Sequence, residues 1–313
     1  MKKYILKRLL QIPITLLGVT ILVFMITQLA PGDPAVTAAG SGARPEQVEA
    51  VRKDLGLDKP VAEQYFDYIK NLLHGDLGTS LVKKTPIASD IMTALINTLY
   101  ILVIARIWSL AVAVPLGIWA AKHKGTWIDK LCTTTSLVGV SIPTFFLGLV
   151  CAWFFGYVIK VLPISGMGDS SMFSVEGIKH MILPAFVMGV TQLGSITRVT
   201  RSAMIDSLNC GYIRTAKAKG LSQKGIIYKH ALKNAVLPLI TVTAMETGIM
   251  LSGSIVTETI FNWPGIARLI VTSILANDYP TVQGCVLVCT LIFVLLNFLA
   301  DILYAVIDPR IKY

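Results

Sequence analysis

Long apolar runs alternate with short polar segments along this chain of 313 residues. The runs carry few or no charges. Most reach about 20 residues, which at about 1.5 Å per residue crosses a hydrocarbon core of about 30 Å. The pattern predicts an all-α membrane fold with six transmembrane helices. The predicted spans are residues 9–32, 98–121, 131–159, 181–197, 238–257 and 281–304.

The third predicted span is the longest, and it contains a cause for bending. Pro143 lies near its middle, in the sequence Gly-Val-Ser-Ile-Pro. Proline removes a backbone donor and crowds the preceding helical turn. We therefore expect a kink at Pro143.

The segment that follows the first span is polar and nearly balanced in charge, with seven basic and nine acidic residues between 33 and 94. Pro45 and Gly56 mark the ends of one predicted helix, because proline favours the first turn and glycine the residue after the last. Pro60 opens a second, amphipathic helix that ends before Gly75. These two helices would form a cap beside the membrane.

Composition agrees with a protein embedded in a lipid bilayer. The chain is 54% hydrophobic and only 15% charged, whereas soluble domains carry about a quarter charged residues. The mean hydropathy is +0.68. The net charge of +10 does not indicate nucleic acid as a partner, because basic residues also mark the cytoplasmic ends of membrane spans.

Lysine and arginine are concentrated on one side of the predicted membrane. Seventeen of them lie in the N-terminus, residues 122–130, residues 198–234 and the C-terminus, against Asp129, Asp206 and Asp308. The positive-inside rule therefore predicts that both termini are cytoplasmic. The predicted organisation is a first transmembrane helix at 1–32, an extracytoplasmic helical segment at 33–94, and a five-helix core at 95–313 with a cytoplasmic loop at 200–237.

Motifs of catalytic sites are missing from the sequence. It contains neither the phosphate-binding pattern G-x-x-x-x-G-K-[ST] nor the zinc pattern H-E-x-x-H. The four histidines are scattered over different loops and span ends. We expect a chain that is not an enzyme, with no catalytic residue, no metal site and no cofactor of its own.

Two charged residues lie inside predicted spans, Arg106 in the second and Glu246 in the fifth. Each is about 12 Å from one end of its span by helical rise, and the two ends are on opposite sides. Charges at such depth usually face a partner or an aqueous cavity. The two side chains could therefore pair. Alternatively, Arg106 extends toward the interface and Glu246 is protonated or bound by hydroxyls of Ser252 or Thr247.

The longest polar segment in the second half of the chain is the basic loop, residues 200–237. Its seven basic residues face a single acid, Asp206. We expect two short helices, 204–219 and 222–234, separated at Gly220. Glycine adopts the left-handed conformation that ends a helix, and Ser222 can cap the next one. Such a loop can bind a protein or can simply contact anionic lipid.

The basic loop resembles the coupling loop of ABC importer permeases, whose general pattern is E-A-A-x-x-x-G. Counting back from Gly220, Arg214 takes the acidic position, Thr215 the first alanine and Ala216 the second. This departure is similar to the dipeptide, oligopeptide and nickel permease branch, where R-T-A-x-A-K-G-L is usual. Other segments that resemble this branch are residues 29–34, 115–117, 139–143, Trp263-Pro264-Gly265 and Asp308-Pro309-Arg310.

The resemblance implies a permease subunit of an ATP-driven importer in the cell (inner) membrane of a bacterium or archaeon. The implied partners are a second homologous permease subunit, two cytoplasmic ABC ATPases that bind the ATP, and an extracytoplasmic substrate-binding protein. The implied cargo is a peptide or, alternatively, nickel or a metal chelate. The ATPase-coupling residues would be Arg214, Thr215, Ala216, Lys217, Ala218, Lys219, Gly220 and Leu221.

Two further sets of residues are candidates for functional roles. Arg106 and Glu246, by their depth, and Ser252, in a stripe of small residues on the fifth span, are candidates for the translocation pathway. Glu258, Trp263, Pro264 and Gly265 lie in a segment that resembles the outer segment after the fifth span in this branch, and they are candidates for a functional extracytoplasmic segment.

Two other classes compete with the importer. A secondary transporter should show an internal repeat, and none is visible between the two halves. A subunit of an intramembrane enzyme should show paired catalytic residues at matched depth, and only Arg106 and Glu246 qualify.

Overall fold

The computed structural model describes residues 2–40, 42–168 and 171–307. The Asp308-Pro309-Arg310 motif lies outside the described residues. Within them the chain is helical, with an isolated bridge between Thr79 and Pro86 and no strand. The helices are α1 Lys2–Leu29, α2 Pro34–Ala39, α3 Pro45–Asp54, α4 Val61–Leu73, α5 Ile87–Lys122, α6 Trp127–Ser141, α7 Thr144–Cys151, α8 Val175–Asn209, α9 Gly211–Ala218, α10 Leu232–Ile260, α11 Ile266–Leu275 and α12 Tyr279–Ile307.

Two π-helical turns extend this set. Ala152–Val158 continues α7, and Gly225–Ala231 leads without a break into α10. Five helical segments of the described residues are long and apolar enough to cross a membrane: Leu9–Leu29, Ile87–Lys122, Val175–Asn209, Gly225–Ile260 and Tyr279–Leu299.

The third predicted span is two helices. Trp127–Ser141 and Thr144–Val158 meet at an angle of 92°. Ile142 and Pro143 between them have extended backbone, with ψ values of 124° and 132°. This conformation follows from the proline ring, which disfavours helical geometry in the residue before it. The kink predicted at Pro143 is confirmed as a full break, and the pair supplies a sixth span if it counts as one. The all-α membrane fold is confirmed.

The chain divides into two compact units. The short-helix unit comprises Lys2–Thr98 and Pro264–Leu295, and the basic-loop unit comprises Leu99–Trp263 with the chain from Leu296 onward.

In the short-helix unit, α4 packs along α1 through aromatic side chains. Phe24 is buried on α1, stacks on Tyr68 at 6.0 Å and meets the edge of Tyr65 at 5.3 Å. The Tyr65 hydroxyl lies 3.0 Å from the hydroxyl of Thr20. The apolar stripe predicted for this helix therefore finds its partner on the first span.

Helix α2 was not predicted from the sequence, although its capping signal is present there. The Asp33 carboxylate accepts a hydrogen bond from the Ala35 backbone at 2.9 Å, and Pro34 occupies the first helical position. Both are standard helix-start features. Asp33 also pairs with Arg52 of α3, which ties the two short helices together.

The basic-loop unit is organised around α8, which packs against α6, α7 and α10. The approach to α6 is close at two glycines. A Cβ added at Gly139 would lie 2.8 Å from Val190, and one at Gly194 would lie 2.5 Å from Val140 and 3.0 Å from the Ser136 carbonyl oxygen. Small residues permit this separation between membrane helices.

Candidate functional site

The basic loop begins at a break that the sequence analysis placed elsewhere. The expected helix 204–219 is interrupted at Cys210, which has extended backbone (φ −67°, ψ 150°) between the end of α8 at Asn209 and the start of α9 at Gly211. Asn, Cys and Gly in succession are all weak helix formers, which explains why the helix ends there. The first predicted loop helix is therefore reduced to α9, Gly211–Ala218.

The predicted turn at Gly220 is confirmed. Gly220 has φ +75°, its N–H donates to the Lys217 carbonyl at 3.0 Å, and the Leu221 N–H donates to the Ala216 carbonyl at 3.3 Å. This pair of hydrogen bonds is the Schellman arrangement that closes a helix on a left-handed glycine. Ser222 then caps the next helix, accepting from the Gly225 N–H at 3.2 Å.

The second predicted loop helix does not end at Asn234. The π-helical turn Gly225–Ala231 continues into α10, so one helical path leads from the loop into the predicted fifth span. No glycine lies between Ala231 and Pro238 to end the helix. A displacement of the loop would therefore act directly on α10.

One face of the basic loop is packed into the protein. Ile213 and Ala216 of α9 are buried in a cluster with Ile226, Met204 and Ile118. A hydrogen bond of 2.7 Å from the Asn234 amide to the Tyr212 hydroxyl crosses the loop. The loop is thus held on α5, α8 and the start of α10 and does not hang free.

The opposite face is open and basic. Of the eight residues predicted to couple to an ATPase, Ala216 is buried and the other seven are exposed: Arg214, Thr215, Lys217, Ala218, Lys219, Gly220 and Leu221. Sequence reasoning missed two aromatic side chains in the same loop, Tyr212 and Tyr228, which are 40% and 60% exposed. Their aromatic character in a basic loop was the available signal. The exposed face combines cationic and amphipathic groups.

The structure brings the two intramembrane charges together. Arg106 Nη1 lies 3.8 Å from Glu246 Oε2, and both side chains are largely buried. The contact is poorly formed, since Arg106 Nε and Nη1 and Glu246 Oε2 are buried without a hydrogen-bond partner. Arg106 Nη2 instead donates to the Met250 sulfur at 3.0 Å. Ser252, four residues from Gly248, is exposed and donates to the Gly248 carbonyl at 3.4 Å.

A second ion pair was not anticipated. Asp129, at the start of α6, accepts hydrogen bonds from Arg201 Nε at 2.5 Å and Nη2 at 2.6 Å. The Gly125 N–H donates to the same carboxylate at 2.9 Å. This contact was not predicted, because both residues lie in charged loops outside the predicted spans, where no argument from membrane depth singles out a partner.

The residues predicted for the extracytoplasmic segment lie in different environments. Glu258 and Trp263 are fully buried in the basic-loop unit, and the Trp263 N–H donates to the Glu258 carbonyl at 2.8 Å. Pro264 and Gly265 belong to the short-helix unit, where the Pro264 carbonyl accepts from the Asn97 amide at 3.0 Å. Burial of the tryptophan argues against an interfacial anchor.

Comparison with known proteins identifies the family of this chain. Residues 113–313 match the model of the binding-protein-dependent transport system inner membrane component, and residues 1–102 match the model of its N-terminal region. The chain is 42% identical to the dipeptide transport system permease protein DppB of Alkalihalophilus pseudofirmus. It is 40% identical to the glutathione transport system permease protein GsiC of Salmonella typhimurium. Both alignments cover all of each chain.

A solved structure shares the fold. One chain of the MetNI methionine ABC transporter, in an inward-facing conformation, superposes with a TM-score of 0.57 at 14% identity. The match covers 70% of this chain and 96% of the other. Together with the apolar helices, these matches show that the protein is a multi-pass inner-membrane transport permease subunit and belongs to the dipeptide, oligopeptide and nickel permease family of ABC importers.

Proposed function

We propose that this chain forms part of the pore through which an ATP-driven importer moves peptides into the cell from an extracytoplasmic binding protein. The cargo assignment rests on relatives that are named for a dipeptide and for glutathione and that align over the whole chain. No observation on the described residues favours nickel or a metal chelate.

The observation that carries the mechanism is the exposed basic face of α9. Its buried face fixes the helix on α5 and α8, while Arg214, Lys217 and Lys219 remain available to a partner. We assign this face to a cytoplasmic ABC ATPase. A second homologous permease would present its own coupling loop to the other ATPase.

The helical path supplies the coupling. Closure of the ATPase pair on ATP would displace α9, and the displacement would pass to α8 on one side and through the π-helical turn to α10 on the other. These helices would then favour an outward-open pore. A ligand can bias a distant site in this way only if the connecting element has two states. The deep residues Arg106, Glu246 and Ser252 are our candidates for the pathway lining.

The coupling role is tested by a pair of glycine variants in the complete complex. Gly220→Ala forces a side chain into left-handed backbone and should cost about 1–2 kcal/mol locally. Gly18→Ala, inside α1, is the control, because that glycine has open space around its Cβ position and no positive φ. We expect only Gly220→Ala to lower transport and stimulated ATP hydrolysis in inserted complexes. Wild-type transport by that variant would refute the assignment.

Orientation is tested by labelling with a membrane-impermeant thiol reagent. A Cys210→Ser background removes the exposed native thiol. A cysteine introduced at Gln64 should react in intact cells, whereas one at Gln223 should react only after permeabilisation. The reverse pattern would overturn the proposed topology.

A further inference from the structure

The ion pair between Asp129 and Arg201 joins α6 to α8. Two short parallel hydrogen bonds join the carboxylate to the guanidinium, in the bidentate geometry that gives arginine pairs both strength and direction. The Asp129 side chain is only 6% exposed, and that of Arg201 is 29% exposed. The Gly125 N–H occupies a further site on the carboxylate. The carboxylate is therefore held from two directions.

This pair ends a continuous zone of close helix packing. From Asp129 the contacts pass up α6 to Ser136 and Gly139, while their partners pass back along α8 from Arg201 to Gly194 and Val190. That order is expected for an antiparallel helix pair. Glycines bring the backbones together at one end, and the ion pair fixes the register at the other.

Arg201 lies close to the coupling helix. It is eight residues before the last residue of α8, or about 12 Å by helical rise. Between them, Ala203 and Met204 enter the buried cluster that holds Ile213 and Ala216 of α9. Any force on α9 therefore reaches α8 at the turn next to Arg201.

We propose that Asp129 and Arg201 are positioning residues for energy coupling. They hold the cytoplasmic end of α8 against α6, so that a displacement of α9 moves both helices as one body instead of bending the end of α8. Neither residue contacts ATP or cargo in this scheme. The inference rests on the proposed function, in which α9 receives the movement of the ATPase.

The test uses the complete complex in proteoliposomes, with ATP hydrolysis and peptide uptake measured on the same samples. Asp129→Asn should lower the number of peptides moved per ATP by about fivefold or more, with ATP hydrolysis retained. Arg201→Lys keeps the positive charge but loses the bidentate contact with Asp129, and it should also lower the number of peptides moved per ATP. The reversed pair, Asp129→Arg with Arg201→Asp, should recover part of it. Asp206→Asn, an exposed acid on α8, is the control and should leave the ratio unchanged.

A wild-type ratio in both Asp129→Asn and Arg201→Lys would overturn the proposal. If the wild-type complex takes up no peptide, the proposed function fails. A second measurement then tests whether Asp129 and Arg201 hold α8 against α6. Spin labels at the exposed positions Lys130 and Ser202 should give a narrow distance distribution that broadens in Asp129→Asn. An unchanged distance distribution would show that Asp129 and Arg201 do not hold α8 against α6, whatever the cargo is.

Discussion

Two ion pairs in the basic-loop unit each join two helices, and they differ in the length and number of their hydrogen bonds. Asp129 and Arg201 meet through hydrogen bonds of 2.5 and 2.6 Å, with a third donor from Gly125. Arg106 and Glu246 approach only to 3.8 Å. Three of their polar atoms are buried without a hydrogen-bond partner.

The difference matters because an unsatisfied buried polar group costs about 1–3 kcal/mol, and more if it is charged. The hydrogen bonds between Asp129 and Arg201 offset that cost, as a fixed structural contact requires. In the Arg106–Glu246 pair the cost is not offset, because the polar atoms lack partners. The deep pair keeps unused hydrogen-bonding capacity, which the proposed pathway lining would require. The depth of Arg106 and Glu246 in their predicted spans indicated that they could pair, but it did not indicate how well their hydrogen bonds would form.

The largest expected effect is at the deep pair. Arg106→Leu or Glu246→Gln alone leaves an uncompensated charge and should cost about 3–5 kcal/mol of stability. The double variant should cost less than the sum of the two. The measurement is a double-mutant cycle on unfolding in detergent and on transport. Additive losses would show that the two side chains do not act as a pair.

At the Asp129–Arg201 pair we expect a smaller loss of stability. Asp129→Asn weakens charged hydrogen bonds worth about 1.5–3 kcal/mol, but Arg201 is partly exposed and can turn to water. Thermal unfolding of the purified protein gives the value. Asp206→Asn should change little, because that acid is exposed. A loss at Asp129 equal to that at Glu246 would erase the distinction between the two pairs.

Lysine substitution should separate the pairs in the opposite order. Arg201→Lys destroys a bidentate contact and should cost about 1 kcal/mol, because lysine cannot reproduce the fork. Arg106→Lys removes no such contact with the carboxylate and should cost less. The comparison is made on unfolding midpoints of the two variants. A greater loss at Arg106 would mean that its guanidinium geometry is the more specific one.

The smallest effect is expected at an exposed pair in the short-helix unit. Lys59 Nζ donates to Asp67 at 2.7 Å, and this hydrogen bond lowers the pKa of the Asp67 carboxyl. A lowered folded-state pKa contributes stability above the unfolded pKa that is lost as pH falls through the folded value. Lys59→Gln should therefore reduce stability slightly at neutral pH, and added salt should shrink the difference from wild type. A large or salt-independent difference would contradict this.

Local chemistry explains the features that were readable from the sequence. Run length and composition predicted the membrane helices, and a proline ring dictated the break at Pro143. The glycine turn at Gly220 and the start of α3 at Pro45 depend on single residues with strong backbone preferences. In each case the decisive interactions lie within a few residues of one another.

The sequence by itself determined that this is a helical membrane protein with a basic loop that turns at Gly220, because hydropathy, charge and turn residues act locally, and its motifs carried the resemblance to importer permeases. The break at Cys210 and the continuation of the loop into α10 also have local causes, although the sequence interpretation overlooked them. Only the tertiary structure decided that Asp129 meets Arg201. It alone also showed that the deep charges meet with poor geometry. Both contacts join segments far apart in the chain, where a nitrogen–oxygen distance of 2.5 Å in one pair and 3.8 Å in the other separates a bidentate bond from an unsatisfied charge.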